Sequence, residues 1–116
     1  MAEEKNNKLL IAVLQGDDYE NVVHDLTGNG FYVTQLNSVG GFLKRRSMTI
    51  MVGLPESRLE EAKAILQKRA GVRVETVYQN QLMTDATADL SPVMPMSVNR
   101  GGVVMFVLDI EQMERF

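Results

Sequence analysis

The chain has 116 residues, 45% of them hydrophobic and 23% charged, no cysteine, and a formal net charge of −3. That is the length and balance of one ordinary globular domain, expected to span residues 1–116. The acidic balance argues against a broad nucleic-acid surface. The missing cysteines exclude disulfides and cysteine-ligated metal centres. The charged start over residues 1–8 is followed by no long apolar stretch, so neither a secretory leader nor a membrane span is predicted, and a cytoplasmic location is expected.

Residues 9–14, LLIAVL, form an uninterrupted apolar run, the mark of a buried strand. Gln15-Gly16-Asp17-Asp18 stops it, and either aspartate suits a helix cap, accepting from the free N–H groups of the first turn. Tyr19, Val22, Val23 and Leu26 then recur at helical spacing, and Gly28-Asn29-Gly30 ends the helix. Residues 31–36, FYVTQL, predict a second strand and residues 48–52, MTIMV, a third. The connection between them is too long for a tight hairpin. Gly53 to Ser57 turns into a second helix, with Ser57 and Glu60 spaced as a capping box and Leu59, Ala62, Ile65 and Leu66 as the apolar stripe. Glu60 and Glu61 come early and Lys68 and Arg69 late, which complements the helix dipole.

Residues 72–78 alternate like a strand. Residues 79–99 show no period and predict a long loop, in which Met94-Pro95-Met96 reads as the loop's own apolar anchor. Gly101-Gly102 permits close backbone approach and precedes a last core strand, VVMFVL, over residues 103–108. Residues 109–116 predict a turn of helix, and residues 1–7 a disordered tail.

The order β-α-β-β-α-β predicts an α+β, ferredoxin-like fold: a four-stranded antiparallel sheet with both helices on one face. The other face is then open and apolar, and a self-assembled oligomer is its simplest cover.

Catalysis finds little support. His24 is the single histidine, which leaves no nucleophilic triad and no paired-histidine metal spacing, and neither a GxxxxGK[ST] loop nor a GxGxxG fingerprint occurs. His24 fits a solvent-facing helix position, and Asp17 and Asp18 are explained by capping. No catalytic and no metal-ligating residues are expected. Binding finds more. In Ser38-Val39-Gly40-Gly41-Phe42-Leu43-Lys44-Arg45-Arg46-Ser47, the glycine pair lets the backbone bend and approach a ligand. Phe42 and Leu43 offer either an apolar wall or local packing, and Lys44 to Arg46 either an anion site or a solvated basic patch. Alternation puts Tyr32 opposite Phe31 and Val33, as core or as a stacking surface.

Thr34-x-Leu36-x-Ser38-x-Gly40-Gly41-Phe42-Leu43 followed by Thr49-x-x-Val52-Gly53 resembles the PII-like cyclic-di-AMP receptor family of Gram-positive bacteria. So do Gln15 with nearby Asp18, and Gly101-Gly102 leading into the last strand, with Phe116 beyond it. The similarity covers nearly the whole chain from Lys8 and is vague through residues 72–99. It implies a PII-like homotrimer with cyclic-di-AMP held between neighbouring subunits and no other cofactor. Thr34 would bond an adenine edge. Gly40, Gly41, Phe42 and Leu43 would wrap the base, and Gly53 would present its backbone to the second base. Phe106 would line the pocket.

The chain departs from the family pattern at Tyr32, where an arginine is common, at Arg46 and Ser47, where a Gly-Asn pair is common, and at Arg115. Ser47 would stand in for the asparagine. Lys44, Arg45 or Arg46 would compensate for the lost arginine, or Tyr32 would stack on adenine. The reading is a non-enzymatic signal receptor whose loops 38–47 and 79–99 order on binding and are read by a protein partner. The rival readings are a PII-type sensor of ATP and 2-oxoglutarate, an enzyme acting on a nucleotide, and a trimeric adaptor without nucleotide binding.

Overall fold

The computed structural model describes residues 5–36, 47–79 and 94–116. The chain runs β1 (Lys8–Gln15), α1 (Gly16–Gly28), β2 (Val33–Leu36), β3 (Ser47–Leu54), a 3-10 turn (Glu56–Arg58), α2 (Leu59–Ala70), β4 (Arg73–Gln79), β5 (Met94–Arg100) and β6 (Val103–Asp109). Strands β2, β3, β1 and β6 lie side by side in that order, with every pairing antiparallel. This is the expected ferredoxin-like α+β sheet. Strands β4 and β5 form a separate two-stranded antiparallel ribbon inserted between α2 and β6.

The core follows from alternation. Leu10, Ala12 and Leu14 of β1 and Ile50, Val52 and Leu54 of β3 are buried on one sheet face, under Val22 and Leu26 of α1 and Ala62, Leu66 and Ala70 of α2. Alternate side chains of a strand point to opposite faces, so one helix-covered face claims every second residue. Arg69 reaches Asp25 across the two helices. That hydrogen bond, with the attraction of the guanidinium, holds the Asp25 carboxyl below its ordinary range. The pair's stabilisation is therefore present above the usual carboxylate range and is lost as pH falls through the depressed value. Melting followed from about pH 6 down to about pH 3 should fall less steeply in Asp25→Asn than in the parent chain, and parallel slopes would refute this.

The end of α1 is a Schellman motif. The Phe31 N–H donates to Leu26 carbonyl at 2.9 Å and the Gly30 N–H to Thr27 carbonyl at 3.0 Å, with Gly30 at φ +87°. This closure uses Phe31, which packs in the core with the Arg58 guanidinium 4.1 Å over its ring. Strand β2 therefore begins at Val33 rather than at residue 31.

Several other expectations are corrected. The loop expected over residues 79–99 is strand from Met94 onward, because β5 pairs with β4 from Gln79↔Met94 to Arg73↔Arg100. Residues 110–116 contain no helical turn. Ser57 lies inside the 3-10 turn, and Arg58 takes the N-cap of α2. The expected disordered tail does not extend to Asn7, whose side chain accepts from the Glu56 N–H at 2.8 Å and whose carbonyl accepts from the Ile110 N–H at 2.9 Å.

Candidate functional site

Opposite the helices, the second sheet face carries Leu9, Ile11 and Val13 of β1, Ser47, Thr49, Met51 and Gly53 of β3, Thr34 and Leu36 of β2, and Val104, Phe106 and Leu108 of β6. Nothing described covers its outer strands: Val104 is 57% exposed, Phe106 53% and Leu108 47%. An apolar face of this breadth is a binding or assembly surface.

The register orders the expected ligand residues on it. Thr34 faces Met51, Met51 faces Ile11, and Ile11 faces Phe106, so one row crosses the whole sheet. Thr34 and Phe106 thus share a face but sit on opposite edge strands, three strand spacings or about 14 Å apart. Ser47 begins β3 on the same face, next to Gln15 of β1. Tyr32, just ahead of β2, is 84% exposed, as its alternation with buried Phe31 requires. Gly53 faces Leu9, and a Cβ built on it would lie 3.8 Å from the Asn6 side chain. Gly40, Gly41, Phe42, Leu43 and Arg46, with Lys44 and Arg45, lie outside the described residues.

Asp17 and Asp18 are not caps. Gln15 occupies the N-cap of α1 without a side-chain cap bond, and both aspartates fall in the first turn. Asp18 is 3% exposed and paired with Arg73 of β4, Oδ1 to Nη2 at 2.6 Å and Oδ2 to Nη1 at 3.3 Å. Arg73 Nε also donates to Glu75 at 2.8 Å. These hydrogen bonds, Asp18 first and Glu75 second, raise the Arg73 pKa further above its already high value, so it carries its charge at every working pH. Arg100 of β5 brings Nε to 3.1 Å from Glu75 Oε2 and Nη1 to 4.0 Å from Asp17. The chain of charges borders a cavity of about 200 Å³. None of the described ligand candidates, Tyr32, Thr34, Ser47, Gly53 and Phe106, lines it. Sequence reading missed this cluster; its one sequence signal is Arg73 and Glu75 at alternate strand positions, which share a face.

His24 is exposed, as expected, and lies 3.6 Å from Asp25. Among the described residues no three His, Cys, Asp or Glu side chains gather as a metal site. No described helix is long and apolar enough to cross a membrane.

The fold is similar to the crystal structure of a functionally unknown protein from Pediococcus pentosaceus ATCC 25745, with a TM-score of 0.73 and 28% identity over 97% of this chain and 99% of that one. Residues 7–116 match the cyclic-di-AMP receptor family, a binding and signalling family rather than an enzymatic one. With a ferredoxin-like sheet and a family match from Asn7 to Phe116, the chain belongs to the cyclic-di-AMP receptor family.

Proposed function

We propose that the chain is a cytoplasmic signal receptor that binds cyclic-di-AMP between the subunits of a homotrimer and passes the bound state to a protein partner. The observation that carries this reading is the separation of Thr34 and Phe106. They share one open face at opposite edges, so a single adenine cannot touch both within one chain. Apposing the β2 edge of one copy with the β6 edge of the next would bring the two residue types together and cover the apolar face. Thr34 would bond an adenine edge, Phe106 and Tyr32 would offer aromatic faces, and Ser47 a hydroxyl. Gly53 would offer its backbone. Gly40, Gly41, Phe42, Leu43 and Arg46 would complete the pocket, with Arg46 toward phosphate.

A pocket built for the adenine edge leaves polar groups unpaired with guanine, which supplies the selectivity. Calorimetric titration should give one cyclic-di-AMP per subunit and no competition from cyclic-di-GMP, ATP or 2-oxoglutarate. Tight ATP binding would favour the PII-type sensor, and no nucleotide binding at all would favour the adaptor. Thr34→Ala should weaken cyclic-di-AMP binding about tenfold, the worth of one well-placed hydrogen bond. Phe106→Ala should weaken it about tenfold to a hundredfold through lost contact area. Unchanged binding in both variants would put the pocket elsewhere. Sedimentation should report three copies; a monomer would overturn the interface.

A further inference from the structure

Two-stranded ribbons are marginal in water unless something holds them. Here β4 and β5 pair only with each other in the described sheets, so their base must supply the hold.

The chain enters the ribbon through Gly71 and leaves it through Gly101 and Gly102, which take φ +86° and +126°. The Gly102 N–H donates to the Ala70 carbonyl at 2.7 Å, and the Gly101 N–H to Gln15 Oε1 at 3.3 Å. Immediately beyond, Arg73 and Arg100 face each other across the ribbon and both turn toward the first turn of α1. The two contacts are unequal. Arg73 grips a buried carboxylate through two hydrogen bonds and also donates to the Gly71 carbonyl at 3.2 Å. Among the described residues Arg100 has only charge contacts: its buried Nε lies near Glu75 without forming a hydrogen bond, and Asp17 is 4.0 Å away and well exposed.

We propose that the ribbon base is a glycine hinge held by a two-stage latch: Asp18–Arg73 is the permanent inner catch, and Arg100–Asp17, with Glu75 steadying Arg100 from the facing strand, the outer catch that releases. A bidentate pair sheltered from water is costly to break, whereas a half-exposed contact without aligned hydrogen bonds is weak. Opening the outer catch frees β5 at its root while β4 stays tied to α1, so the β4–β5 ladder frays from that end without unfolding the sheet. The movable surface is apolar: Val74 and Tyr78 on one side of the ribbon, Met94 and Met96 on the other, all exposed.

Amide hydrogen exchange on the free protein tests this without any nucleotide, so it stands apart from the binding reading. Arg100→Met keeps the apolar stem and removes the outer catch. Exchange in β4 and β5 should quicken about tenfold or more, while β1 and β3 keep the parent rates. Asp18→Asn should instead speed exchange in the sheet as well as in the ribbon. The proposal is overturned if Arg100→Met leaves ribbon exchange unchanged, or if it speeds ribbon and sheet alike. The milder Arg100→Gln serves as the second variant; a failure of both to fold would make Arg100 a plain structural residue and also overturn it.

Discussion

Replacing Asp18 with alanine should lower the free energy of unfolding by about 2–3 kcal/mol, because it strands the guanidinium of Arg73 in a site shaped to neutralise it. Breaking a fully buried pair usually costs more, about 3–5 kcal/mol. The lower figure holds here because Arg73 keeps Glu75, and its side chain is 31% exposed. In a domain of this size the melting temperature should drop on the order of 10 °C. The double variant Asp18→Ala with Arg73→Met should regain part of the loss, since no buried charge is then left alone. A single-variant loss under about 0.5 kcal/mol, the size of an ordinary surface change, would mean that solvent already shields Arg73.

The second large effect is expected at Gly101. Its φ of +86° is one that side chains rarely adopt, and an added Cβ would stand 2.1 Å from the Gly71 carbonyl oxygen and 2.9 Å from its carbon. Backbone cannot step aside as a flexible side chain does, so Gly101→Ala must pull apart the two ends of the ribbon. The expected cost is about 3 kcal/mol or more, from the strained dihedral together with the lost Gly102–Ala70 and Gly101–Gln15 hydrogen bonds. Gly28 is the control. A Cβ there meets nothing within 4 Å. Gly28→Ala, at the last helical position of α1, should be neutral or stabilising by up to about 1 kcal/mol. Urea titrations of both variants should separate them clearly; equal midpoints would mean that the ribbon base is slack.

How much of this was legible depends on how local each signal is. Strands β1, β3 and β6 could be read directly, because each carries a run of apolar and β-branched residues that no helix spacing fits. Alternation alone put Tyr32 opposite Phe31 and Val33, whereas Thr34 and Phe106 were singled out only by the family resemblance. Strand β5 could not be read, since Met94-Pro95-Met96-Ser97 has neither period nor strong β-propensity. Its extended form comes from pairing with β4, and Pro95 is tolerated because each strand of a two-stranded ribbon has one edge free of ladder bonds. Phe31 looked like strand because aromatic residues favour strands, but the α1 closure captured its N–H. Asp18 looked like a cap because its true partner lies 55 residues along the chain. Long-range charge pairing leaves no periodic trace.

The hydrogen bond between Ala70 and Gly102 closes the neck of a thirty-one-residue detour, Gly71 to Gly101, at a single 2.7 Å contact. The rest of the sheet is laced together without any strand of that excursion. Such a neck is a splice point: the excursion could lengthen, shorten or be exchanged between homologues while β6 still reached its place beside β1. The exchange would leave a buried orphaned carboxylate at Asp18, so a transplanted hairpin would have to bring its own cation.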